Sequence, residues 1–109
     1  MKIRYALLLA GVCLTGASAA NASVDMAQGA ALAKTHNCLA CHAVDRKMVG
    51  PAYQDVAKKY KGDKEAVAML VNKVKAGGKG VWGPIPMPAN SPKVNDADIK
   101  TMVEWVLAL

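Results

Sequence analysis

Two cysteines and a histidine lie together in the stretch Cys38-Leu39-Ala40-Cys41-His42. Cysteines separated by two residues, with a histidine directly after the second, form the attachment pattern of a c-type haem. Each thiol adds to a vinyl group of the haem, and the imidazole that follows becomes an axial ligand of the iron. The spacing therefore predicts one covalent heme c, held by thioethers from Cys38 and Cys41 and by an iron bond from His42.

Other chemistries of the cysteine pair fit the surrounding sequence less well. A zinc site would need two further ligands at matching spacing, and His36 with His42 makes a poor tetrahedral set. A thioredoxin-like pair would lie between a strand and a helix, and no segment of this sequence alternates as a strand does. A disulfide or a thiol–disulfide oxidoreductase is the alternative, and free thiols without haem absorbance would indicate the latter.

The second axial ligand must come from elsewhere in the chain. His36 precedes Cys38 by two residues, too close to reach the far side of the iron, and we expect it to be a solvated helix end. Methionine is the other candidate type. Met69 and Met102 lie in helical patterns, where methionine usually fills the core. The remaining candidates are Met26, Met48 and Met87.

Met87 is favoured because it lies between Pro86 and Pro88. Flanking prolines restrict the unfolded chain and hold the thioether in place. By contrast, Met48 is only six residues after His42 and has a short reach to the opposite face. Iron bound by histidine and methionine has no open position, which suits one-electron transfer and disfavours oxygen binding. The alternative is a haem enzyme or gas sensor with an open iron site.

The N-terminus has the features of a secretory signal peptide. Lys2 and Arg4 precede a short apolar run, and small residues then form two cleavage patterns, after Ala19 and after Ala22. We favour Ala22, with a signal peptide at 1–22 and a mature domain at 23–109. Cys13 would be removed with the peptide. For a bacterium, the exported product would be periplasmic, and no apolar run approaches the length that spans a membrane.

The charge of the mature chain is modest. Lys2 and Arg4 account for two of the 14 basic residues, so the mature chain carries 12 against 8 acids, a net charge of +4. This modest charge does not predict nucleic-acid binding, and the lack of a long apolar run predicts no stable membrane insertion. Lysines spread among helices form a solvated face or a docking surface for an acidic partner.

The apolar pattern predicts an all-α domain of four helices. They are expected at about 25–36, 52–60, 64–75 and 95–109, with Asp25, Asp63 and Asn95 as N-terminal caps. The segment 81–92 contains four prolines and cannot be a regular helix. The mature chain has no phenylalanine and two tryptophans, so we expect a covalent haem to complete the core.

Three blocks carry a resemblance to a known family: Cys38 to His42, Lys47-Met48-Val49-Gly50-Pro51-Ala52-Tyr53, and Gly80-Val81-Trp82-Gly83-Pro84-Ile85-Pro86-Met87-Pro88. In this order they resemble the small bacterial class I cytochromes c of the cytochrome c-551 type, over essentially the whole mature chain. The resemblance implies the class I cytochrome c fold, with about four helices wrapped around one covalently attached haem.

The resemblance also assigns roles to individual residues. It implies that Met87 is the distal ligand and that the Pro51 carbonyl accepts a hydrogen bond from Nδ1 of His42. It implies that the Trp82 indole donates to a haem propionate and that Asn90 lies near the ligating sulfur. Lys73 stands where relatives carry an arginine beside a propionate, and lysine cannot form the same planar fork.

The function that the resemblance implies is electron transfer and not enzymatic catalysis. A periplasmic carrier of this type would take single electrons from a membrane cytochrome complex and pass them to a terminal reductase, oxidase or peroxidase. We expect a monomer that docks transiently with redox partner proteins at an exposed haem edge. The lysines expected around that edge are Lys34, Lys47, Lys79 and Lys93.

One departure from related cytochromes concerns the packing of the first helix on the last. Ala33 stands where many cytochromes c have an aromatic residue, whereas Trp105 remains on the last helix. We expect Trp105 to lie across the small surface that Gly29 and Ala33 provide.

Overall fold

The computed structural model describes Gly11 and residues 24–109. The predicted signal peptide at 1–22, its two cleavage positions and Cys13 lie outside the described residues. Four α-helices follow one another in the described part: α1 (Met26–Thr35), α2 (Tyr53–Lys59), α3 (Ala66–Ala76) and α4 (Asp96–Leu107). A short 3-10 turn, Cys38–Ala40, follows α1. None of the described helices is long and apolar enough to cross a membrane. The prediction of an all-α fold with four helices is confirmed.

The helix N-termini follow local capping chemistry. The carboxylate of Asp25 accepts the Gln28 amide at 2.9 Å, and the Asn95 side-chain oxygen accepts the Asp98 amide at 2.8 Å. Asp63 instead accepts the amide of Glu65 at 2.9 Å. This bond closes a turn, so α3 begins at Ala66, two residues later than predicted.

α2 begins without a side-chain cap. Its first amides, those of Tyr53 and Gln54, donate to the carbonyls of Ala43 and Val44 at 2.9 and 3.0 Å. The loop after the cysteine–histidine motif thus satisfies amide groups that a helix start leaves without partners. The start of α2 and the residues after His42 are therefore fixed to each other.

α4 lies at the centre of the molecule and contacts each of the other three helices. Ile99 is fully buried, and Met102, Val103, Trp105 and Val106 are buried on the same helix. The apolar face of α3 is only half-buried, although its residues pack against this core: Val67, Leu70, Val71 and Val74. Two residues of this incompletely covered face, Leu70 and Val74, line a cleft described below.

The packing of α1 on α4 agrees with the prediction for Trp105. A Cβ atom at Gly29 would lie 3.2 Å from Cδ1 of Trp105 and closer still to its Cβ and Cγ. Ala33 and Trp105 are both buried in the same apolar cluster. α1 can approach α4 this closely because these two positions carry small residues, and the approach places the end of α1, and hence the motif, beside the core.

Candidate haem site

The cysteine–histidine motif is folded into a tight turn directly after α1. Asn37 adopts a left-handed conformation (φ 60°, ψ 22°), which ends the helix and which asparagine tolerates better than most residues. The amides of Cys41 and His42 both donate to the Cys38 carbonyl, at 3.2 and 3.0 Å. In a 3-10 turn, residues three apart lie on the same side. Cys38 and Cys41 accordingly both line one cleft.

His42 is held on three sides. Its Nδ1 lies 2.8 Å from the Pro51 carbonyl, which can only accept, so Nδ1 carries the proton and Nε2 keeps its lone pair. The Tyr53 ring stacks on the imidazole with centroids 4.8 Å apart and planes at 17°. A Cβ atom at Gly50 would lie 2.8 Å from Nδ1 and 2.9 Å from Nε2 of the ring. The imidazole is therefore oriented with a ligand nitrogen available.

Tyr53 also connects His42 to the core. Its ring meets Trp105 of α4 edge-on, with centroids 5.4 Å apart and planes at 76°. Trp105 in turn covers Gly29 of α1. Sequence reasoning missed Gly50 and Tyr53 as supports of His42, because Gly50-Pro51 was interpreted as a helix boundary and Tyr53 as a residue of α2. The block Gly50 to Tyr53 was nevertheless part of the family resemblance.

The cleft has a volume of about 290 Å³, and its lining is mainly apolar. Cys38, Cys41, His42 and Met87 all line it. Apolar side chains of all four helices complete its wall, among them Ala33, Val56, Leu70, Met102 and Val106. A mainly apolar cleft that carries two thiols, an imidazole and a thioether fits a covalently bound haem.

Met87 reaches the cleft from the proline-rich segment, where its backbone pairs with Gly78. The Gly78 amide donates to the Met87 carbonyl at 3.0 Å, and the Met87 amide donates to the Gly78 carbonyl at 2.8 Å. This isolated antiparallel bridge was not predicted, since the glycines after α3 were interpreted only as the end of that helix. The paired glycines beside a proline-rich segment were the available signal.

Trp82 and Asn90 lie on either side of Met87 along the chain. Trp82 lines the cleft with 40% of its surface exposed, and Nζ of Lys59 lies 5.7 Å from its ring centroid. The side-chain Nδ2 of Asn90 donates to the carbonyls of Val74 and Pro88, both at 3.2 Å. Asn90 thus ties the residue after Met87 to the end of α3. The propionate contact of Trp82 stays a prediction, as does a role for Asn90 at the sulfur.

The lysines divide into two groups. Lys47, Lys73 and Lys79 line the cleft, whereas Lys34 and Lys93 are not among its lining residues. His36 was expected to be a solvated helix end, and it lies at the end of α1, where it is partly exposed. Its side chain is 23% exposed, and its Nε2 lies 3.4 Å from the Asp98 carboxylate at the start of α4. The close packing of α1 on α4 brings these two helix ends together.

The surroundings of Cys38 disfavour thiol–disulfide chemistry. Both cysteines are free thiols in this structure, and burial raises the pKa of the Cys38 thiol. Redox-active thiols have a lowered pKa, because the thiolate is the reacting form. Burial also raises the pKa of the Tyr53 phenol beside Cys38. Burial therefore disfavours the thiolate form of Cys38, which is the form that an oxidoreductase uses.

Comparison with known proteins agrees with the geometry. The cytochrome c family model matches residues 26–109. The chain is 48% identical to cytochrome c-552 of Hydrogenobacter thermophilus, over 94% of this chain and 95% of that protein. It is 51% identical to cytochrome c-551 of Pseudomonas aeruginosa, over 76% of this chain and 84% of that protein.

The fold is similar to a solved structure as well. The crystal structure of wild-type Nitrosomonas europaea cytochrome c552 superposes with a TM-score of 0.70, at 51% identity, over 73% of this chain and 98% of that one. The predicted class I fold and its relation to the c-551 type are confirmed. The chain therefore belongs to the cytochrome c family, whose members carry one covalent heme c and transfer electrons to and from redox partners.

Proposed function

We propose that this protein is a periplasmic single-electron carrier whose haem iron is ligated by His42 and Met87. The observation that carries the proposal is that Cys38, Cys41, His42 and Met87 converge on one mainly apolar cleft. In such a site Cys38 and Cys41 provide the thioethers. Haem iron bound by histidine and methionine on its two faces exchanges single electrons and has no free coordination position.

The remaining groups of the site orient these four residues. The Pro51 carbonyl fixes the tautomer of His42, and Tyr53 fixes the plane of its ring. Trp82 is the proposed donor to a haem propionate. Asn90 braces the Pro88 carbonyl next to Met87. A rigid ligand set changes little between oxidation states, which favours rapid electron exchange.

The exposed rim of the cleft is the proposed docking surface. Val81 and Ile85 are 55% and 60% exposed there, and Lys47 and Lys79 lie beside the same cleft. Apolar side chains flanked by lysines suit brief contact with an acidic redox partner. The electron would pass between a membrane cytochrome complex and a terminal reductase, oxidase or peroxidase, with the protein acting as a monomer.

Export is part of the proposal: residues 1–22 direct secretion and are removed, leaving 23–109. The sequence features of a signal peptide support it. Mass spectrometry of the product from a bacterial periplasm should give residues 23–109 plus one haem, whereas cleavage after Ala19 would give 20–109. A full-length chain retained in the cytoplasm with unmodified thiols would contradict the proposal.

Carbon monoxide tests whether the iron has an open position. The reduced haem-loaded protein should not bind it readily at neutral pH, because the Met87 thioether would hold the iron's remaining coordination position. Ready binding would instead favour a haem enzyme or gas sensor.

A further inference from the structure

The segment that carries Met87 is held at both of its ends. At its first residue, Met87, the amide and the carbonyl both form the bridge to Gly78. After it, the amides of Asn90 and Ser91 donate to the Lys75 carbonyl, each at 3.2 Å. The carbonyls of the last turn of a helix otherwise lack partners within the helix. The segment 87–91 therefore closes the end of α3, and its position depends on the residues there.

Gly77, which follows α3 directly, lies against the backbone of this segment. A Cβ atom at Gly77 would lie 2.8 Å from the Pro88 carbonyl carbon, 2.8 Å from the Ala89 nitrogen, and also against the Met87 oxygen. All three are backbone atoms, so no side-chain rotation could relieve the overlap. Gly77 also has φ 72° and ψ −162°, a combination that essentially only glycine adopts.

Gly78 provides an informative contrast. A Cβ atom there would meet mainly the end of the flexible Lys73 side chain, at 3.0 Å from its Nζ. Lysine can move away at small cost. Gly78 is itself restricted by its φ of 132°, but of these two glycines only Gly77 would bring a Cβ atom against the backbone of residues 87–89.

We propose that Gly77 is a positioning residue for Met87. By lacking a side chain, it lets the backbone of residues 87–89 lie directly against the end of α3, and this contact sets how far the Met87 thioether extends into the cleft. A methyl group at this position displaces residues 87–89 as a unit, because the bridge to Gly78 and the bonds to Lys75 hold the segment at both ends. The proposal rests on the proposed ligation of iron by Met87.

The test compares three variants of the haem-loaded protein. Oxidised samples are examined for the weak long-wavelength absorption band of methionine–iron ligation, and reduced samples are titrated with carbon monoxide. Gly77→Ala should lose or weaken the band and gain carbon monoxide binding. Gly62→Ala is the matched control, since Gly62 has a similar φ of 79° but no atom lies within 4 Å of its added Cβ. It should lose stability and keep the band.

Met87→Ala distinguishes a failure of the proposed iron ligation from a failure of the proposed role of Gly77. If the unmodified protein lacks the band, or Met87→Ala keeps it, the ligation itself is wrong. If Met87→Ala loses the band but Gly77→Ala retains it in full, the ligation stands and the role of Gly77 is wrong. Loss of the band in Gly62→Ala as well would show a general effect of instability and would also overturn that role.

Amide hydrogen exchange provides the test if Gly77→Ala does not fold. In the unmodified haem-loaded protein, the amides of Gly78 and Met87 should exchange much more slowly than those of Val81 and Trp82, which lie between them. Similar exchange at all four positions would mean that the bridge opens freely, and that Gly77 does not fix the position of Met87.

Discussion

Replacing Gly29 with alanine should destabilise the protein, although the same change stabilises most helices. Gly29 is buried in α1, and the added methyl group would overlap Cβ and Cγ of Trp105. Trp105 is 5% exposed and contacts Tyr53 edge-on, so its ring cannot turn away without disturbing the support of His42. The overlap can be relieved only if α1 and α4 move apart.

The expected change in the free energy of unfolding of Gly29→Ala follows from two opposing effects. Alanine favours a helix interior over glycine by about 1 kcal/mol. Overfilling a packed core costs about 1–3 kcal/mol, and the rigid neighbour places this site at the upper end of that range. The net loss in the free energy of unfolding should be about 2 kcal/mol, which lowers the melting temperature of a domain of this size by roughly 8–16 °C.

Thermal and denaturant unfolding of the haem-loaded protein measure this loss. Ala30→Gly is the matched control, because Ala30 is the exposed neighbour on the same helix. It should lose about 1 kcal/mol, from helix propensity alone. If Gly29→Ala is instead more stable than the unmodified protein, Trp105 does not pack on α1 as described.

Three further predictions concern the site. Gly50→Ala should push the His42 imidazole away from the Pro51 carbonyl, because the added Cβ would lie 2.8 Å from Nδ1. The haem spectrum and the reduction potential should both change. An unaltered potential would count against this contact. Burial raises the pKa of Tyr53 above its ordinary 10.0, so its contribution to stability is present below pH 10 and is lost as the pH rises further. Tyr53→Phe should therefore lose less stability at alkaline pH, and parallel losses in both proteins would refute the assignment. Replacing Lys47 and Lys79 with glutamine should slow oxidation of the reduced protein by ferricyanide at low salt. The same changes at Lys34 and Lys93, which do not line the cleft, should slow it less. Equal effects would argue against attraction of the anion by the lysines at the cleft.

The residues that line the candidate site were largely identifiable from short stretches of sequence. The attachment motif and the proline-flanked Met87 each have a spacing that follows from local chemistry, and the structure places both on one cleft. The helices were predictable from apolar spacing and from caps such as Asp25 and Asn95. Their ends were less certain, as the late start of α3 shows, because a turn and a helix compete for the same capping residue.

Most of the contacts that hold His42 and Met87 in place could not be predicted from the sequence, because they arise between distant segments. The stacking of Tyr53 on His42 depends on how α2 lies against the motif. The bridge between Gly78 and Met87 joins two loop positions with no periodic pattern. Likewise, the contact of His36 with Asp98 requires the crossing of α1 and α4, which Gly29 permits.

The oxidised absorption spectrum of the haem-loaded protein, compared with that of Met87→Ala, tests the central claim most directly. The unmodified protein should show the weak band of methionine–iron ligation, and Met87→Ala should lose it while keeping its covalent haem. Met69→Ala, which changes an exposed methionine on α3, should retain the band. Absence of the band from the unmodified protein, or its survival in Met87→Ala, would contradict ligation of the iron by Met87.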